Sequence, residues 1–190
     1  MLKSISRRLV LVSSAVLSVA VIAGCAAPSS GSGSSSASAE KTFFAQIYHE
    51  NGRTYMFGDV KNYKQFLSVD EVTYTRTKIG AGKSGETIVY ALTKAESKKL
   101  VPGTAERFFS GQVTAAPSFY GEAVKHGRFH VFGSFEDMKA FLASGEVPLT
   151  YTEIGTGPKG ATVIYALNKK TAKQKPTALV AEFKAFHGLK

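Results

Sequence analysis

Shifted by 75 residues, the sequence matches itself, and that self-match limits the fold more tightly than any other feature. Gly52-Arg53-Thr54-Tyr55-Met56-Phe57-Gly58 returns as Gly127-Arg128-Phe129-His130-Val131-Phe132-Gly133, and Lys64-Gln65-Phe66-Leu67 returns as Lys139-Ala140-Phe141-Leu142. The stretch from Ile79-Gly80-Ala81-Gly82 to Leu92 returns as Ile154-Gly155-Thr156-Gly157 to Leu167. Between Gly52 and Lys94, 20 of 43 pairs are identical, where chance supplies only a few, so one unit has been duplicated.

Each copy reads locally as ββαββ. Phe43 to Tyr48 and Tyr120 to Lys125 are strand-like, and a turn (Glu50-Asn51-Gly52; His126-Gly127) leads each into a short aromatic strand, Thr54 to Phe57 or Phe129 to Phe132. Val60, Tyr63, Phe66 and Leu67, like Phe135, Met138, Phe141 and Leu142, recur at three- and four-residue steps, which predicts one amphipathic helix packed on each hairpin. Ser134-Phe135-Glu136-Asp137 resembles a capping box, with Asp59 as the weaker counterpart. Val72 to Ile79 and Leu149 to Ile154 predict a third strand, and a Gly-rich turn leads to a fourth, Thr87 to Leu92 or Thr162 to Leu167. Thr93 and Asn168 then cap a further short helix. After these, Leu179, Val180, Phe183 and Phe186 form one stripe of a C-terminal helix closed by Gly188, with no duplicate in the first copy.

The expected class is therefore α+β, with two tandem ββαββ-like repeats, mainly antiparallel sheets and a C-terminal helix. Residues 42–101 form repeat one, 102–118 an inter-repeat connection, 119–175 repeat two and 176–190 the terminal amphipathic helix. A unit of about 60 residues is marginal alone, so the copies are expected to pack as a pseudo-symmetric pair through apolar faces.

Ahead of the repeats, Lys3, Arg7 and Arg8 precede an apolar run from Leu9 to Ala23, too short for the roughly 20 residues that span a bilayer core. Residues 1–24 read as an export signal. The run ends Val21-Ile22-Ala23-Gly24-Cys25, which resembles the lipobox of bacterial lipoproteins, and the chain has no other cysteine. That resemblance implies cleavage before Cys25, a diacylglyceryl group on its thiol, and acyl anchoring strong enough to persist. Residues 25–41 then form a lipidated Cys and a tether rich in Ser, Gly and Ala, with a root-mean-square span of roughly 20 to 25 Å. Ala26 is not the Asp that retains enterobacteria-like lipoproteins at the inner membrane, so the resemblance implies the outer membrane.

Composition narrows the chemistry further. One Cys excludes a disulfide scaffold or a multi-cysteine zinc site, and His49, His126, His130 and His187 share no metal-ligand spacing, so no metal or cofactor is expected. Gly80-Ala81-Gly82-Lys83-Ser84 ends like a phosphate loop, but it joins two strands and its first glycine is missing at Thr77. A tight strand connection is the simpler reading, and a backbone-amide anion site with Lys83 or Lys159 nearby is the alternative. Glu71 and Glu146 are the only acids at equivalent positions, each solvated in a turn, and no Ser lies in a nucleophile elbow, so an enzyme is not expected.

Charge is the remaining signal. The chain carries +10, and removal of the signal's three cations leaves about +7. Arg53 and Arg128 follow the hairpin glycine in both copies, and a guanidinium fork suits phosphate or carboxylate. The expected function is a noncatalytic binding or interaction module of the envelope, engaging an anionic envelope component or an envelope protein, with no nucleic acid as partner. An inhibitor or accessory subunit of another envelope enzyme is the alternative, and a weak hydrolase ranks below it.

Overall fold

The computed structural model describes residues 41–114 and 118–190. The export signal, Cys25 and the tether as far as Glu40 lie outside the described residues. The first half runs β1 (Thr42–Tyr48), β2 (Arg53–Phe57), α1 (Val60–Val69), β3 (Thr75–Lys78), β4 (Thr87–Ala91), α2 (Lys94–Ser97) and α3 (Thr104–Phe109). The second runs β5 (Phe119–Lys125), β6 (Arg128–Phe132), α4 (Phe135–Ser144), β7 (Leu149–Glu153), β8 (Val163–Leu167) and α5 (Thr177–His187). Both halves contain the ββαββ order, and the molecule is α+β.

The helices start and stop where local chemistry directs. Asp59 accepts from the Asn62 amide at the head of α1, and Ser134 accepts from the Asp137 amide at the head of α4. The reciprocal half of the expected capping box is not made; the Asp137 carboxylate instead accepts from the Asn168 side-chain amide. Both helices end on a left-handed residue, Asp70 at φ 57° and Gly145 at φ 78°.

All eight strands form one sheet in the order β3-β4-β2-β1-β5-β6-β8-β7. Four neighbouring pairs are antiparallel and three are parallel, so the sheet is mixed, with the antiparallel pairs only just in the majority. The halves do not stack face to face, as the sequence suggested. They join edge to edge through β1 and β5, which run parallel with Thr42 opposite Phe119.

That joint puts the two copies' helices on opposite faces. Alternate residues of a strand point to opposite sides. Phe43, Ala45 and Ile47 pack with Tyr63 and Phe66 of α1, whereas Phe44 packs with Met138 and Phe141 of α4. The copies are thus related by a pseudo-twofold axis along the strands, which exchanges the faces.

Three further differences from the sequence reading follow. The connection 102–118 contains α3, whose Ala105 and Phe108 are buried on the α4 face. The C-terminal helix is therefore not unduplicated: Val180 and Phe183, 75 residues after Ala105 and Phe108, are buried on the α1 face. Gly58 and Gly133 support the pairing, because the first abuts Thr104 and the second Leu179, again 75 residues on. Finally, Asn168 heads no helix; its side-chain oxygen accepts from the amides of Lys170 and Thr171 in a turn.

The hairpins differ by one residue. Ala45 faces Phe57 in the first and Gly121 faces Phe132 in the second, so β1 and β5 correspond at a shift of 76, not 75. His126 and Gly127, at φ 51° and 70°, make the tight two-residue turn of the second copy, and the first copy has the longer loop.

Candidate functional site: an open groove and a buried carboxylate

Arg53 and Arg128 are exposed at the first positions of β2 and β6, at the end of the sheet where both hairpins turn. They share that end but not a face. Arg53 alternates with Thr54 and lies on the side of Tyr55 and Phe57, the α1 side, whereas Arg128 lies on the side of Phe132, the α4 side. β1 and β5 also separate them, so three strand spacings, about 14 Å, lie between their backbones.

Lys83 and Lys159 sit in the β3–β4 and β7–β8 turns at this same end. The Lys83 ammonium donates to the carbonyls of Leu142 at 2.8 Å and Ala143 at 2.9 Å, where it caps the C-terminus of α4. Lys159 is exposed in a short 3-10 turn at φ 55°. The Gly-rich segment is a strand connection as expected: the Gly82 amide donates to the Glu86 carbonyl and the Gly85 amide to Gly82.

On the α4 face, α3, α4 and the β3–β4 turn enclose a groove of about 540 Å³. Gln46, Tyr48, Met56, Ile88 and Tyr90 come to it from the sheet, Phe108 and Phe109 from α3, and Phe135, Lys139 and Leu142 from α4. Burial raises the pKa of the Tyr48 and Tyr90 hydroxyls, so the floor stays neutral at physiological pH. The Lys139 ammonium lies at the rim, 5.0 Å over the Phe135 ring.

The groove exists because the two terminal helices differ. α5 has 11 residues and α3 has 6, so the last turn of α5 has no helical counterpart on the α4 face. Thr54 also stands where the other copy has the bulkier Phe129.

On the α1 face the longer α5 covers the corresponding floor and leaves a shallower depression of about 430 Å³ between Lys64, Leu67 and Phe186, and the interior on that side holds a carboxylate the sequence reading passed over. Glu122, on central strand β5, is fully buried. The Tyr63 hydroxyl donates to it at 2.5 Å, the Tyr120 hydroxyl donates to its other oxygen, and His187 Nε2 lies 2.8 and 3.1 Å from the two oxygens. Burial first, and then the neighbouring carboxylate, hold both tyrosines well above their ordinary pKa, so they remain donors. The cluster ties α1, β5 and α5 together. An acid inside the apolar strand Phe119-Tyr120-Gly121-Glu122-Ala123-Val124 was the available signal, because an ionised side chain at such a position needs partners.

The other histidines are dispersed. His49 Nδ1 accepts from the Asn51 amide, His126 is exposed, and His130 lies against Phe141 with Nδ1 buried and without a hydrogen bond. No group of three or more metal-ligating side chains converges among the described residues, and no described helix is long and apolar enough to cross a membrane. Glu71 and Glu146 are both exposed, each just beyond a helix end.

The chain matches no family model, no curated protein and no solved structure.

Proposed function

We propose that this chain is a noncatalytic binding module of the bacterial envelope, anchored by lipid on Cys25, whose ligand is an anionic envelope component. The groove on the α4 face carries the reading. It is large enough for a small ligand, its floor is aromatic and its rim bears lysine, a combination that holds a partly apolar anion. Arg53 and Arg128, exposed at one end of the sheet on opposite sides, contribute a more diffuse attraction.

The test is cosedimentation of the purified protein with vesicles of phosphatidylglycerol or phosphatidylcholine and with purified cell-wall polymer, at rising salt. Binding to the anionic surfaces that weakens with salt, and that falls in the Arg53→Ala/Arg128→Ala double variant at unchanged melting temperature, is the expected result. No binding to any anionic surface overturns the reading.

One observation favours a protein partner instead, as an accessory subunit or inhibitor of an envelope enzyme would have. Ile79 and Ile154, 75 residues apart, are 88% and 84% exposed in equivalent turns. Apolar side chains kept exposed in both copies suit a docking contact. Capture of a defined envelope protein that is lost in Ile79→Ser/Ile154→Ser would favour this second reading.

A further inference from the structure

We infer that the groove on the α4 face is the binding site for an anionic amphiphile with a planar apolar body, the body lying on the aromatic floor and the acid group meeting Lys139. The inference rests on the proposed binding function and names the chemistry of its ligand.

The molecule's own second copy shows what such a space accepts. On the α1 face the last turn of α5 delivers Phe186, whose ring lies 5.5 Å from Phe43 and 5.1 Å from Tyr120, with the Lys64 ammonium 4.5 Å over it. A flat ring under a cation thus occupies that side. On the α4 face the positions 75 residues from Lys64 and Leu67 are Lys139 and Leu142, and both line the groove. Gly111 stands 75 residues before Phe186, so that position supplies no ring, and among the described residues the Lys139 ammonium lies over Phe135 of its own helix instead.

The charge pattern then selects an anion. Gln46 corresponds to Glu122 at the strand shift of 76, so the floor of the groove carries a neutral amide where the other face carries a carboxylate. Glu86 is the single acid in the lining, and its carboxylate accepts from the Ser84 amide. Lys83 is held by the α4 carbonyls, which leaves the exposed Lys139 as the other lysine of the described lining that can meet an incoming acid group. An ammonium beside an aromatic trough attracts both parts of such a ligand, the acid by charge and the planar body by ring contact.

Anilinonaphthalene sulfonate is a planar apolar anion and serves as the probe. The full chain is held in a nanodisc, with empty nanodiscs as the blank, and titrated while fluorescence is recorded. Saturable binding is expected, weakened about tenfold or more by Lys139→Glu and restored by Lys139→Arg. Lys64→Glu, at the shallower depression of the α1 face where Phe186 already lies under the ammonium, should change affinity by less than about twofold. Met56→Trp, which fills the floor, should abolish binding. Absence of saturable binding, or equal losses in the Lys139 and Lys64 variants, overturns the site. If the site fails while the protein still cosediments with anionic vesicles or polymer, the proposed function stands and its ligand lies elsewhere. If the probe binds in the groove while no anionic envelope component is captured, the site stands and the envelope function falls.

Discussion

Two side chains show how strongly burial sets chemistry in this protein. Glu122 is a buried carboxylate that accepts from two tyrosine hydroxyls and lies against the His187 ring, and removing it leaves those hydroxyls and the imidazole facing a void. Glu122→Ala is expected to cost about 3 to 5 kcal/mol, the range for breaking a buried charged network from one side, measured by urea unfolding. Glu122→Gln keeps the shape and should cost less. His130 behaves oppositely. Burial first, then the charges of Lys125 and Arg128, push its pKa from the ordinary 6.5 down to about 4. The folded state therefore binds that proton more weakly than the unfolded state, so His130 lowers stability as pH falls from about 6.5 towards 4 and has no such effect above that window. In His130→Tyr, which copies Tyr55 of the first repeat, the drop in melting temperature between about pH 7 and pH 4.5 should shrink, as thermal melts at the two pH values will show.

The helices carry most of what could be read from the residues, and also what could not. Phe66 on α1 and Phe141 on α4 were expected in the core from their three- and four-residue spacing, and both are buried, at 1% and 0% exposure. Phe66→Ala or Phe141→Ala should each cost about 3 to 5 kcal/mol, seen as a large fall in the denaturation midpoint. α3 escaped notice because six residues show too little periodicity to be distinguished from a loop. What holds it is not periodicity but acids at a distance. Glu96 in α2 accepts from the amide and hydroxyl of Thr104, and Glu106 accepts from the Gly103 amide and from Arg76. Burial would raise the pKa of Glu96, but the hydrogen bonds from Thr93 and Thr104 override it and lower the value to about 2. The stability this carboxylate adds is present above its ordinary pKa and is lost as pH falls through about 2. The groove was hidden for a different reason. Its lysine and aromatic residues are scattered from Gln46 to Leu142, and only the sheet order brings them together.

At the scale of the whole molecule, neither half owns a complete core. Phe186 of α5 packs on Phe43 and Tyr63 of the first half, and Phe108 of α3 packs on Phe135 of the second. A chain ending near residue 101 should accordingly show no cooperative thermal transition, whereas the whole chain melts in one step, as calorimetry on both will test. The matching ββαββ order of the two halves was legible because identical residues persist at a fixed offset. The way the halves join was not, because β1 and β5 are buried on both faces along most of their length and nothing in a strand's composition tells which neighbour it will pair with. The joint also has a kinetic side. Residues paired across it are 77 apart, from Thr42 and Phe119 onward, whereas each hairpin closes over a few residues. Closure of the centre is thus the slow, late event in folding, reached with two bare strand edges waiting inside each chain. In a crowded refolding mixture the β5 edge of one molecule is expected to meet the β1 edge of another before its own arrives, giving a reciprocal, strand-exchanged dimer whose yield should climb with protein concentration, as size-exclusion chromatography after refolding at several concentrations will show.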